Sequence, residues 1–299
     1  MKKYTIKREM PLHLMMLPAS LILLIFTYLP MGGLVMAFQD YNIGKGILHS
    51  KFTGLQNFKY LLLLPDTKQV VFNTLFISMM KIVLLIIVPL VFALLLNELS
   101  KAWYKKAVQT ITYLPYLISW VVLSGIFLDF FSPTDGVVNQ LLVGMGFNPI
   151  YFFGNAKLFP YMMAITDLWK NIGFNTIILL AALTGIDPGL YEAAIVDGAG
   201  RWKQTLHVTL PGVATMVVLL AVLGMGNILN AGFDQIFNLY SPVVYSTGDV
   251  IDTAVYRMGL VQMQYSLATA MGLFKSVVSI LMILITNALA KKYTSSSIF

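Results

Sequence analysis

Glu192, Ala193, Ala194, Gly198, Arg201, Leu210 and Pro211 form the most suggestive set of spaced residues in this chain. These residues form no recognisable catalytic constellation. Their use is recognition. Glu192 and Arg201, on two short helices joined by a glycine elbow, can make charge-assisted hydrogen bonds across an interface, and the small alanines let a partner approach closely. Asp187 is a good N-cap, because its carboxylate can accept from unpaired N–H groups of the next turn. Pro188 suits the first helical position, and Gly198 is placed to end that helix in a left-handed conformation. A second short helix is expected over 201–208, carrying Arg201, Lys203 and His207, with Pro211 stopping or kinking it.

A second set is polar within apolar surroundings. Trp169, Lys170, Asn171 and Asn175 fall in one hydrophobic stretch, Asn227 and Asn230 near the end of another, and Gln235 follows Asp234 just beyond. Polar groups inside such stretches are costly and default to functional sites. Amides pair with sugar hydroxyls and an indole face stacks on a pyranose C–H surface, so this set suits a carbohydrate path. The competing reading is hydrogen bonding between helices, with Lys170 pairing with Asp167 or snorkelling. For Lys81 and Lys275, snorkelling or a salt bridge is expected. Tyr28, Tyr113, Trp120 and Tyr151 are expected at interfaces and in helix packing, and His207 as a packing or capping residue.

Other chemistries are missing from the chain. It has no phosphate-cradling G-x-x-x-x-G-K-[ST], no HExxH and no Gly-x-Ser-x-Gly. The three histidines are scattered, so no metal or catalytic constellation is expected. With no cysteine there are no disulfides, thiolate metal sites or cysteine nucleophiles. If energy is used, a partner must supply it.

The elements that would position these residues are membrane helices. Of the 299 residues 58% are hydrophobic and only 11% charged, where soluble domains carry about 25%. Mean hydropathy is +0.78. Six spans are expected, over about 14–38, 70–97, 107–131, 159–184, 212–230 and 265–290. The first follows a basic head and is too long for a signal-peptide core. The polar stretches 40–68, 132–158 and 231–264 are expected outside, with FTGLQNFKYLL (52–62) spaced to lie along a membrane surface. Eleven of the 20 lysines and arginines then lie on the cytoplasmic side, six outside and three within spans. This bias places both termini and the 187–211 element in the cytoplasm. It also explains the net charge of +7 without a nucleic-acid partner. A short TSSS tract near the end is the only low-complexity segment.

The spacing of the 187–211 element has a family resemblance. E-A-A, three residues, G, nine residues, V, one residue, L-P is similar to the EAA loop of binding-protein-dependent ABC importer permeases, with Val208 in place of isoleucine. FTGLQNF (52–58), FNTLFIS (72–78), ALLLNEL (93–99) and QTITYLPYLISWVV (109–122) resemble the maltose-type carbohydrate-uptake permeases, most of all the polysaccharide and complex-oligosaccharide branch. The resemblance implies an all-α integral membrane fold of six transmembrane helices with a cytoplasmic coupling helix between the fourth and fifth. It implies 1–69 as an N-terminal helix with an external segment, and 70–299 as the permease core. It further implies a second homologous permease, two ATPase subunits that bind ATP and magnesium, an extracellular or periplasmic solute-binding protein, and a bacterial cell membrane. The substrate would be an oligosaccharide moved by alternating access. Two readings compete: a permease of the same type for amino acids, peptides or polyamines, and an ion-coupled secondary transporter using Asp167 and Lys170 as a relay. A membrane enzyme lacks its constellation.

Overall fold

The computed structural model describes residues 2–293, with side chains from 10 to 288. The side chains of the basic head and of Lys291 and Lys292, and the TSSS tract, lie outside the described residues. Helix α1 starts as Lys2–Leu23 and runs on, with Met10–Phe38 as its membrane-length part. A two-residue antiparallel ladder follows, β1 (Gln39–Asp40) with β2 (Lys51–Phe52). Then come α2 (Gln56–Leu63), α3 (Pro65–Asn97), α4 (Ala102–Leu117), α5 (Trp120–Phe130) and α6 (Val137–Gly144). The rest comprises α7 (Phe159–Thr184), α8 (Pro188–Val196), α9 (Arg201–Gly226), α10 (Phe233–Leu239), α11 (Ile251–Tyr256) and α12 (Tyr265–Tyr293).

Four of these are long and apolar enough to cross a membrane: α1, α3, α9 and α12. Two bent pairs, α4 with α5 at 103° and α7 with α8 at 67°, raise the number to six when each counts as one span. The chain is therefore a predominantly helical membrane protein with four to six candidate spans.

Two compact units form. The first joins residues 1–63 with 255–274. Here the FTGLQNF stretch is a clip on the end of α1. The Phe38 carbonyl accepts from the Thr53 and Gly54 N–H groups at 2.8 and 3.0 Å. Asn57 donates its amide to the Ala37 and Gln39 carbonyls, both at 2.9 Å, and Phe58 packs on Phe38 with ring centres 5.4 Å apart. Gly54 has φ +62°, a left-handed turn that a glycine adopts without strain.

The second unit joins 64–254 with 275–299 and is built on α3 packed against α7. One apolar core gathers Ala93 and Leu96 of α3, Leu179, Leu180 and Leu183 of α7, and Val213 of α9. The other sets Ile77 of α3 and Phe159, Met162 and Met163 of α7 against Ile236, Leu239, Val244 and Val250. FNTLF has a mechanical role in it. Asn73 donates to the Asp249 carbonyl at 3.1 Å, and the Thr74 hydroxyl accepts from Ile251 N–H at 2.9 Å. Lys275 forms its ion pair with Asp252.

Two expectations need correction. The third span is not one helix. Pro115 and a 3₁₀ turn over Leu114–Leu117 end α4, and Ser119 caps a new helix by accepting from Val122 N–H. Nor does Pro211 end a short helix, because α9 runs continuously from Arg201 to Gly226. A π-turn over Thr205–Thr209, closed by Leu210 N–H onto the Thr205 carbonyl, precedes the proline. The wider turn accommodates the ring clash and the missing donor. The 231–264 stretch holds α10 and α11, and Gln235, Ile236, Leu239 and Ile251 are buried.

Helices α4 and α7 cross closely at Gly173. A Cβ there would stand 2.3 Å from the Thr112 carbonyl oxygen and 2.6 Å from the Tyr113 nitrogen, both backbone atoms of α4. Small residues allow such close approach between membrane helices. Gly173→Ala must therefore push α4 off α7 and should cost about 1–3 kcal/mol, read as a lower midpoint in thermal unfolding of the purified protein. Gly125→Ala, with nothing within 4 Å of the added carbon, should leave the midpoint unchanged or raised.

Candidate functional site

The elbow between α7 and α9 is closed by its own hydrogen bonds. Asp187 accepts from Gly189 N–H at 2.9 Å as the N-cap of α8, with Pro188 first in the helix. At the other end Ala199 N–H reaches the Ala194 carbonyl at 2.8 Å and Gly198 N–H the Ile195 carbonyl at 3.0 Å. Gly198 has φ +76°. This is the Schellman arrangement that satisfies the last carbonyls of a helix. Both ends of α8 are thus finished within a nine-residue helix.

What the elbow leaves outward matters more. Glu192, Ala193, Ile195 and Val196 are exposed, Val196 at 87%, and Trp202 at 73%. Ala194 is half-buried, so the two alanines sit differently. Arg201 pairs with Glu98 at the end of α3, 3.1 Å away, both well exposed. Such a pair contributes little to stability but fixes the direction of the guanidinium. Tyr191 and Thr209 share a hydroxyl contact of 3.0 Å, and Gln204 donates to the Ala199 carbonyl at 2.8 Å. Leu210 is half-buried, Pro211 exposed. His207 places Nδ1 3.0 Å from the Lys203 carbonyl, one turn back, a local capping contact.

A buried polar knot joins α3, α7 and α10. The Lys81 ammonium donates to the Ala231 carbonyl at 2.6 Å and to Gln235 Oε1, and lies 3.7 Å from Asp167 Oδ1. Gln235 Nε2 donates in turn to the Met163 carbonyl at 2.8 Å and to Thr166 Oγ1 at 2.7 Å. Gln235 is fully buried, and both ends of its amide are engaged inside the chain. Gly232, at φ +93°, leaves room for the ammonium; a Cβ there would stand 3.1 Å from Lys81 Nζ.

Lys170, one turn along α7 from Asp167, takes its hydrogen-bond partners from the end of another helix. Its ammonium donates to the carbonyls of Pro115, Tyr116 and Ile118, where α4 breaks, and sits over the Tyr116 and Trp120 rings at 5.9 and 5.5 Å. The Pro115 carbonyl also accepts from Ile118 N–H at 3.2 Å within the 3₁₀ turn, and the buried cation adds a donor to each of the three carbonyls where the regular helical ladder stops. Trp169 is half-exposed, edge-on to Phe127 at 5.5 Å. Asn171 donates back to the Asp167 carbonyl and Asn227 to the Leu223 carbonyl, each at 3.1 Å. Asn175 is half-buried and Asn230 exposed. Members of the set have different partners: Gln235 meets Lys81, Lys170 meets the α4 break, and Asn171 and Asn227 each bond a carbonyl four residues back.

Sequence reasoning did not single out Glu98, Thr166 or Gly173. Glu98 sits within the quoted ALLLNEL stretch, which was its only signal. Removing Lys81 from the knot strands the Asp167 carboxylate and the Gln235 oxygen. Lys81→Met should cost about 3–5 kcal/mol, the usual effect of breaking a buried ion pair, seen as a large fall in the thermal midpoint in detergent. Adding Asp167→Met should recover much of it. A single variant as stable as the parent would show the knot to be incidental.

A family model described as "binding-protein-dependent transport system inner membrane component" matches residues 89–295. Protein LplB of Bacillus subtilis (strain 168) is 40% identical, the match covering 98% of this chain and 92% of that protein. The polygalacturonan/rhamnogalacturonan transport system permease protein YteP of the same strain is 39% identical, over 96% of this chain and 90% of that one. Among solved structures, a chain of a bacterial alginate ABC transporter, in complex with an alginate pentasaccharide-bound periplasmic protein, superposes with a TM-score of 0.89. It is 38% identical and covers 99% of each chain. The chain belongs to the family of inner-membrane components of binding-protein-dependent transport systems.

Proposed function

We propose that this permease moves oligosaccharides or polysaccharide fragments from a solute-binding protein to the cytoplasm, driven by partner ATPases. The observation that carries the proposal is the elbow: α8, capped at both ends, presents Glu192, Ala193 and Val196 outward and stops at an unobstructed Gly198. α8 is the coupling helix that seats in an ATPase subunit, with Arg201 oriented by Glu98 beside it. The bent pairs α4–α5 and α7–α8 each contain one span, giving six spans with both termini cytoplasmic. Residues 70–299 form the permease core, and 1–69 add a helix and an external segment. The full assembly contains a second permease and two ATPases, and its cavity opens alternately to each side. Trp169, Asn171, Asn175, Asn227 and Asn230 line the substrate path. Lys170 and Gln235 hold its walls, since their polar groups are engaged within the chain.

The relatives support the cargo. YteP carries polygalacturonan and rhamnogalacturonan in its name, and the solved transporter imports the acidic polysaccharide alginate. Co-purification in mild detergent is expected to recover a second permease and an ATPase with this chain; its recovery alone, well folded, would count against the assembly.

Gly198→Pro tests the coupling. Proline fixes φ near −65° and removes the N–H that bonds Ile195, so α8 can no longer end where it does. Uptake and substrate-stimulated ATP hydrolysis should fall roughly tenfold or more, equivalent to at least about 1.4 kcal/mol of coupling, with the chain still inserted. Gly198→Asn, which tolerates the left-handed region, should keep most activity. Normal uptake by a stably assembled proline variant would refute the coupling role.

A further inference from the structure

Four of the six basic residues expected outside crowd into one segment, 40–68: Lys45, Lys51, Lys59 and Lys68, against only Asp40 and Asp66. Topology works against such a cluster, since the orientation bias favours basic residues on the cytoplasmic side. Two of these lysines share a cavity in the first unit. It measures about 560 Å³, and its lining includes Asp40, Lys51, Thr53, Gln56, Lys59 and Tyr60. That volume lies within the range of small-ligand sites, about 300–1,000 Å³.

The backbone that carries the lining is anchored, and Lys51, Gln56, Lys59 and Tyr60 project from it exposed. Gln56, Lys59 and Tyr60 stand at i, i+3 and i+4 on α2 and so share a face. The Asn57 bonds to the Ala37 and Gln39 carbonyls anchor that helix. Lys51 comes from β2, opposite Asp40 in the ladder register. Even so, neither Lys51 nor Lys59 forms an ion pair among the described residues. Two ammonium groups without a salt-bridge partner outnumber the one carboxylate, Asp40, in the wall of this polar cavity, and its net positive charge favours an anionic ligand. The remaining groups narrow its chemistry. Thr53, Gln56 and the Asp40 carboxylate suit hydroxyl groups, and the half-exposed Tyr60 ring offers a flat apolar face for C–H bonds. A uronate chain carries carboxylates set among hydroxyls and C–H faces, which this mixture of ammonium, hydroxyl-pairing and aromatic groups matches.

We infer that this cavity is a subsite for uronate-bearing oligosaccharides, with Lys51 and Lys59 meeting their carboxylates at the outer face. The inference rests on the importer reading and orientation proposed above, and makes this chain selective for acidic over neutral sugar.

The test uses the complete assembly of this chain, its partner permease and the ATPases in nanodiscs, without the binding protein. Binding of trigalacturonate is followed by ligand-observed NMR, with its fully methyl-esterified form as the neutral probe. Trigalacturonate should bind and the ester should not. Lys51→Gln with Lys59→Gln should weaken binding roughly tenfold or more, because two charge-assisted contacts are lost, while the Lys51→Arg, Lys59→Arg pair should retain it. Equal binding by the parent and glutamine proteins, or equal binding of both probes, would overturn the inference. So would a glutamine variant that binds trigalacturonate normally but loses affinity for the solute-binding protein, since the cavity would then be a docking surface. A parent assembly that binds the probe through these lysines but shows no ATP-driven uptake of any oligosaccharide would support the subsite and refute the importer reading.

Discussion

A cation inside an apolar helix pair is the constraint on which the second unit depends. Lys81 sits in the middle of α3 and is buried. A charge so placed needs partners of opposite sign or polarity, because desolvation costs several kcal/mol per ion. The chain meets this need from three directions: Asp167 on α7, the carbonyl of Ala231, and Gln235 on α10. Gln235 is then completed by Thr166 and the Met163 carbonyl. Satisfying one ammonium thus docks α10 onto the α3–α7 pair and fixes where α7 faces. The apolar core of Ile77, Met163 and Ile236 around it supplies burial without direction. The polar knot supplies the register.

The same logic operates at the break between α4 and α5. A chain inside a membrane-length apolar segment cannot leave carbonyls unpaired, so irregular backbone persists there only where protein groups satisfy it. Lys170 provides three donors to three carbonyls at the bend. Two lysines on facing helices therefore do unlike jobs. Lys81 joins helices through side chains, and Lys170 stabilises an interruption of helical backbone. Sequence hydropathy treats both simply as charges within spans.

That difference marks what the sequence could disclose. The bounds of α7 are readable because Pro160 enters at its first turn and Gly185 follows its last residue. Asp187, Pro188 and Gly198 likewise announce both ends of α8, since capping is local chemistry between residues a few positions apart. The α4 break is not readable in this way: Pro115 hints at it, but the stabilising cation lies more than fifty residues later. Asp167 and Lys170, three apart, invite pairing on one helix face, yet each turns to a partner on another helix. Gln235 has the composition of a loop residue and is buried because Lys81 needs an acceptor. Local rules could not supply these long-range pairings.

The elbow combines both kinds of determinant. Its ends are closed by local bonds, but its attachment to the core is tertiary. Ile186, just before α8, fills the space above Gly212 on α9, where a Cβ would stand 2.7 Å from its side chain. The Tyr191–Thr209 contact ties α8 to the π-turn of α9, and Arg201 reaches Glu98 at the end of α3. A push on the exposed face of α8 would therefore reach α9 through Tyr191 and α7 through the direct chain connection, with the exposed Arg201–Glu98 pair adding only a weak link to α3. The space around Gly198 is empty, so the turn there has room to flex while those ties hold. An element finished at both ends, fastened to α7 and α9 and open on one side suits the transmission of force from a partner.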